Sequence, residues 1–204
     1  MTDARTAHPI EAQSYRILRS LGRTGHMPYW TRVVVERVVH ASADLAYLED
    51  LVLDEEVLSR AAAALAAGAP LVADSRMVAA GITSRPVRTL IDDERVPSLS
   101  VQHGLTRSAA AMQLAAQEAG PGAIWVVGNA PTALEAAIDL APRLTPALVI
   151  GLHVGFVGAV ESKARLRDTG LPAVSNVSEK GGSAVAAAAV NALLYGDPLP
   201  LERS

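Results

Sequence analysis

Residues 123–151 read AIWVVGNAPTALEAAIDLAPRLTPALVIG, and the order of patterns within them decides the fold. An apolar run rich in Val and Ile ends at Gly128, a helical pattern opens behind Asn129 and Pro131, and a second apolar run, ALVIG, follows. Short apolar runs of this kind fit strands buried on both faces. A helix between two of them makes a right-handed crossover in a parallel sheet. Asn129 suits a helix cap, and Pro131 suits the first turn.

The same grammar extends in both directions. Upstream, PLVA runs into Asp74, which is placed to cap a helix through DSRMVAA that stops at Gly81. VRTLI is a strand candidate, and TRSAAAMQLAAQEAG is a helix that starts near Thr106. Downstream come a helix through VESKARLRD, a last strand in LPAVSNV and a last helix in GGSAVAAAAVNALLYG. Ahead of the alternation stand two helical patterns, about 9–21 and about 28–43, punctuated by Gly22, Gly25 and Pro28. A polar stretch, ASADLAYLEDL, and an Ala-rich helix through EEVLSRAAAALAA that stops at Gly68 complete the chain. The sum is a single α/β domain over 9–199: three layers, α/β/α, with a flavodoxin-like, mainly parallel sheet and N-terminal helices. Short flexible tails are expected at 1–8 and 200–204.

Composition removes whole classes of function. Of 204 residues, 50% are hydrophobic and only 3% aromatic, so one mainly aliphatic core is expected. Eighteen Lys and Arg against 21 Asp and Glu leave a net charge of −3, without the basic field that nucleic-acid binding needs. The absence of cysteine excludes disulfides, thiolate metal sites and cysteine nucleophiles. No run approaches the roughly 18 apolar residues of a membrane span, and MTDARTAH lacks the apolar core of a signal peptide. A soluble cytoplasmic protein with no membrane partner is expected.

Familiar motifs of catalysis are missing. The dinucleotide fingerprint fails at Ala130, GFVGAVESK lacks phosphate-loop spacing, the five histidines show no metal-ligand spacing, and there is no Gly-x-Ser-x-Gly elbow. Arg37 and His40 share a helix face, where an Arg can hold an anion while the imidazole handles a proton; Asp44 would orient the ring if the helix continues that far. Spacing alone favours an ordinary amphipathic helix with a surface His and a solvated Asp. Arg107 and Ser108 open an Ala-rich helix and suit an anion, or simply follow a capping Thr106. Glu161 and Lys163 can pair with each other or with solvent, and His103 and His153 are loop histidines without companion carboxylates. Composition and spacing thus stop at an α/β protein with candidate anion sites.

The segments ERVVHASADLAYLEDLV, GAPLVADSRMVAAGI, GLTRSAAAM, GNAPTAL and VGFVGAVESK occur in this order between about residues 9 and 195. In them the chain resembles the precorrin-8X methylmutase family and its cobalt-precorrin-8 branch. The resemblance implies an isomerase of corrin biosynthesis that moves a methyl group from ring carbon 11 to ring carbon 12 of a tetrapyrrole. The product is hydrogenobyrinate or, with cobalt in the ring, cobyrinate. It implies no cofactor and no protein-bound metal, cobalt entering only within the substrate, and a homodimer with each pocket near the subunit interface. His40 matches the catalytic histidine that exchanges a proton with the macrocycle; Ser14, in a Ser-aromatic segment with Tyr15, and Arg37 match substrate contacts. Thr83, Arg107, Ser108, Asn129, Glu161 and Lys163 match pocket-facing substrate-binding loops. A sigmatropic shift needs positioning and protonation rather than a nucleophile, which accounts for the missing triads. The alternative is a tetrapyrrole carrier on the same fold without turnover.

Some positions depart from the family pattern. SNVSEKGGS places Glu179 and Lys180 where Arg and Gly are usual, and His153 stands where proline is expected, which puts one carboxylate contact and the rigidity of the loop in question. The HASAD context and LTRSAAA lean towards the cobalt branch.

Overall fold

The computed structural model describes residues 8–199. Its first part is helical: α1 (Pro9–Gly22) and α2 (Tyr29–Ser42) are followed by a short α3 (Tyr47–Asp50), a two-residue strand β1 (Leu51–Val52) and α4 (Glu55–Ala66). The alternation then begins with β2 (Leu71–Ala73), α5 (Arg76–Gly81), β3 (Val87–Arg88), α6 (Val96–His103) and α7 (Arg107–Ala119). It continues through β4 (Ile124–Val127), α8 (Pro131–Leu144), β5 (Leu148–Gly151), α9 (Ala159–Asp168), β6 (Ala173–Asn176) and α10 (Ser183–Tyr195).

The sheet order is β1-β6-β5-β4-β2-β3. All neighbours are parallel except β1, which pairs antiparallel with β6 through Leu51 opposite Asn176. Counted in chain order, the five parallel strands follow the 2-1-3-4-5 order of a flavodoxin-like sheet, and the direction in which successive strands are added reverses between β2 and β4. Side chains alternate across it as the pleat requires. Leu71, Ala73, Ile124, Val126, Leu148, Ile150 and Val174 face the layer of α2, α4, α5 and α10. Val72, Trp125, Val127 and Val149 face α7, α8 and Leu166 of α9. The Ala-rich α10 can lie close because its side chains are small, and α2 packs along its outer side. A Cβ on Gly128 would come within 2.6 Å of Val78 and 3.0 Å of Ala186, so only glycine lets the end of β4 pass beneath α5 and α10. Among the described residues no helix is long and apolar enough to cross a membrane.

Five local expectations are corrected. The strand expected at VRTLI is only Val87–Arg88, and α6 occupies chain given no element, so His103 ends a helix rather than lying in a loop. ASADLAYLEDL contains α3 and the start of β1. Asp74 does not cap its own helix; Ser75 does, accepting from Val78 N. Asn129 does not cap α8 either. The buried Asp74 carboxylate reaches across the sheet and accepts from Gly128 N (3.1 Å), Asn129 N (2.8 Å) and Ala130 N (3.0 Å). The free amides before α8 are satisfied by a carboxylate from the neighbouring strand. Burial pushes the Asp74 pKa up, and these three donors pull against that shift.

Candidate active site

Both helices that carry His40 and its neighbours are pinned by buried charge. Glu36, 1% exposed, accepts from Arg19 Nε (2.9 Å) and Nη2 (2.8 Å) and from Thr24 Oγ1. Asp197 accepts from Arg19 Nη2 (2.9 Å) and Arg32 Nη1 (2.8 Å). Each buried charge has a hydrogen-bonded partner, so the network fixes how α1 crosses α2 and ties the end of the fold to both.

That crossing places Ser14 of α1 against His40 of α2. Ser14 Oγ lies 2.8 Å from His40 Nδ1, and the Tyr15 ring stacks on the imidazole at 4.9 Å and 17°. The second ring nitrogen, Nε2, is left for a ligand. Ser14 and His40 line a hollow of about 220 Å³ whose other walls are aliphatic, including Ile17, Leu18, Leu21 and Leu45. Arg37, one turn before His40, sits 3.8 Å from Glu11 and 6.0 Å from the Tyr195 ring centre; its Nε is buried without a hydrogen-bond partner. Asp44 does not orient the ring. Helix α2 ends at Ser42, Ala43 turns into the left-handed region (φ 54°), and Asp44 pairs instead with Lys180 at 2.6 Å. Serine takes the orienting role that the sequence assigns to the aspartate.

A second group gathers where β2 and β4 diverge. Arg107, Ser108 and Asn129 line a cleft of about 320 Å³ with Asp74, Ser75, Arg76 and Asp92. Asn129 Oδ1 accepts from Ser75 Oγ (3.1 Å) and from Ser183 Oγ. Thr83 is exposed on the loop between α5 and β3 and lines neither hollow.

The loop after β6 forms a third structure. Gly181 presses on the carbonyl oxygens of Leu152 and His153, which a Cβ would meet at 2.3 and 2.4 Å. Lys163 is fully buried, and its ammonium donates to Asn176 Oδ1 (2.8 Å), Ser178 O (2.7 Å) and Lys180 O (2.7 Å). Burial lowers its pKa to about 8, with Arg167 adding to the shift and Asp50 opposing it. All three protons of the ammonium are spent within the fold, so Lys163 shapes the loop, while Glu161 stands exposed at the start of α9. Asp50, unsuspected in the sequence, anchors the loop by accepting from Val177 N, Ser178 N, Ser178 Oγ and Asn176 Nδ2.

The departing residues also find places. His153 is buried, and its Nε2–H donates to Ser162 Oγ (3.0 Å), whose own proton goes to Gly158 O. Nδ1 has no partner, and burial, helped by Lys163, lowers the His153 pKa to about 4. Lys180 joins the loop to the end of α2 through Asp44, and Glu179 O accepts from Gly155 N. The loop is therefore held without proline. Among the described residues no group of three or more His, Asp or Glu is arranged to hold a metal.

The second and third groups lie beyond the carboxyl ends of the parallel strands, where ligands of such sheets bind, and the Asp44–Lys180 pair joins the end of α2 to the third. A larger hollow, about 640 Å³, opens near the first turn of α2 between Tyr29, Trp30, Arg85 and Tyr195; none of the site residues read from the sequence lines it.

The sequence profile that describes precorrin-8X methylmutases matches residues 9–196. The chain belongs to the precorrin-8X methylmutase family. Relatives of both branches are similar to it over nearly the whole length. The cobalt-precorrin-8 methylmutase of Salmonella typhimurium is 37% identical over 198 residues, covering 91% of this chain and 93% of the relative. The precorrin-8X methylmutase of Pseudomonas aeruginosa is 39% identical over 202 residues, covering 93% and 95%. The crystal structure of the precorrin-8X methylmutase from Thermus thermophilus superposes with a TM-score of 0.79 at 31% identity, covering 91% of this chain and 96% of that one. For a methylmutase, the geometry supplies an imidazole beside an aliphatic wall and an arginine one turn away.

Proposed function

We infer that this methylmutase moves a methyl group from ring carbon 11 to ring carbon 12 of precorrin-8X or its cobalt form, His40 exchanging a proton with a ring nitrogen. The observation that carries the reading is the Ser14–His40 pair. It fixes the imidazole by its Nδ1 and by the Tyr15 face, at the edge of an apolar hollow and one turn from Arg37. The migrating carbon stays within the substrate, so the enzyme has to hold the macrocycle and adjust its protonation. No cofactor enters this reading. Arg37, Arg107 and Asn129 would receive peripheral carboxylates, and Lys163 would act through the loop it braces.

A homodimer belongs to the same reading. The hollow beside His40 is shallow for a tetrapyrrole, and Ile17 and Leu21 on its wall are more than half exposed, which suits closure by a second copy. A place in the cytoplasm fits a biosynthetic enzyme of this family.

The test is incubation with precorrin-8X and with cobalt-precorrin-8, followed by visible absorption and extraction of the pigment. Wild type is expected to return the product isomer of one or both, and His40→Ala to bind pigment without converting it. Full turnover by His40→Ala would remove the histidine's role. Recovery of unchanged substrate from stoichiometric wild-type protein would identify a carrier instead.

A further inference from the structure

Two arginines in the cleft between β2 and β4 share one carboxylate. Arg76 Nε lies 3.0 Å from Asp92 Oδ2, and Arg107 Nη2 lies 2.8 Å from Asp92 Oδ1, so each oxygen of Asp92 takes one guanidinium. Arg107 is steadied by a second bond, from Nε to Ile91 O at 3.0 Å. This cluster is built unlike the ion pairs that hold the fold together. Arg19, Arg32, Glu36 and Asp197 have side chains no more than 14% exposed, whereas Arg76, Arg107 and Asp92 are 77%, 61% and 45% exposed. Pairs so wet add little to stability and exchange partners readily.

Asn129 supplies an independent observation. Its Oδ1 is occupied by the hydroxyls of Ser75 and Ser183, and its backbone amide is held by Asp74. With the oxygen fixed on that side, the Nδ2 group, a donor of two protons, is turned the other way in a residue that lines the cleft. Two guanidiniums and a side-chain amide thus border one place, and the anion there belongs to the protein itself.

We propose that this cleft is a carboxylate subsite in which Asp92 is the resident stand-in: a peripheral carboxylate of the ligand displaces Asp92 from Arg76 and Arg107 and takes a further hydrogen bond from Asn129. The proposal rests on the reading that the protein binds a polycarboxylate tetrapyrrole, and it adds Arg76 and Asp92 to the residues that set affinity. The exchange swaps one carboxylate for another between the same two cations, while the displaced Asp92, already 45% exposed, turns to solvent. A neutral group has no means to replace Asp92, and the site therefore selects for the ionised acid.

The experiment is a titration of the metal-free and cobalt products, hydrogenobyrinate and cobyrinate, into the full chain, followed by visible absorption. Removing the competitor by Asp92→Asn is expected to lower Kd about threefold to tenfold, the size set by breaking two exposed pairs. Glu94→Gln, an exposed neighbour that changes charge equally, is expected to leave Kd within about twofold. In an Arg107→Ala background the gain from Asp92→Asn is expected to disappear, and Arg76→Ala alone to weaken binding. An unchanged or higher Kd in Asp92→Asn overturns the proposal; so does an equal gain in Glu94→Gln, or a gain that survives Arg107→Ala, because either would be a long-range charge effect. Asp92→Ala serves as a second variant, with the same expectation. If wild type converts substrate but Asp92→Asn and Asp92→Ala bind as wild type does, only the subsite fails. If wild type binds neither corrinoid, the functional reading fails with it.

Discussion

Ser14 Oγ and His40 Nδ1 lie 2.8 Å apart although 26 residues separate them in the chain. The bond uses one ring nitrogen and leaves the other free, so on the proposed reading the serine would set how the histidine meets the macrocycle rather than how tightly the macrocycle is bound. Ser14→Ala is therefore expected to lower kcat by about tenfold while KM changes less than about twofold. The pH profile should broaden as the ring loses its fixed tautomer. Steady-state kinetics of the methyl shift across pH 5–8 would check this, and an effect confined to KM would place Ser14 in binding instead.

Asp74 accepts three amide bonds from the entry of α8. In Asp74→Ala these donors lose their partner in a buried site, which is expected to cost about 3 kcal/mol of stability. Urea unfolding would measure it, with Asp74→Asn falling between because one acceptor oxygen remains. A loss below about 1 kcal/mol would mean that water replaces the carboxylate.

His153 makes the fold sensitive to acid. Its pKa is lowered from 6.5 to about 4, so between these values the unfolded chain binds a proton that the native state refuses, and stability falls as pH drops from 6.5 towards 4. The shift corresponds to roughly 3 kcal/mol across that window. The variant His153→Leu, which has no proton to bind, should show a flatter curve there. Denaturation midpoints at pH 4, 5, 6 and 7 for both proteins give the comparison, and parallel curves would refute it.

Lys163 closes the loop after β6 with three bonds. Lys163→Met keeps the length and apolar stem but leaves Asn176 Oδ1, Ser178 O and Lys180 O without that donor. Stability is expected to fall by about 2–4 kcal/mol, and limited proteolysis should cut between residues 177 and 182, where wild type resists. Lys163→Arg should not restore resistance, because the buried space fits an ammonium and not a planar guanidinium.

Alternation was legible because the central strands are buried on both sides: LVA, IWVV and LVIG are apolar without gaps and bounded by glycine or turn residues. Two-residue strands such as β1 and β3 have no periodicity to read. Helix α6 is only eight residues long and has no side-chain cap, so its one start signal is Pro97 in the first turn. At the site, Arg37 and His40 could be paired by helix spacing, and Ser14 came from resemblance. The partner of Asp74 could not be read, because capping rules look along the chain and its donors stand 54 to 56 residues away, on the adjacent strand's exit. Asp44 misled for a smaller reason. Nothing local announces that Ala43 adopts a positive φ, yet that one residue swings the aspartate from the imidazole to Lys180.

The two outermost strands, β1 and β3, are only two residues long. A sheet edge offers open amides and carbonyls to any passing chain, and here each side offers almost none, so growth by strand addition is blocked at both borders. If two copies pair as proposed, the contact is expected to be built from side chains of helices and loops. Such a contact can be undone by single surface substitutions without touching the sheet, and the unassembled protomer should stay dispersed rather than polymerise.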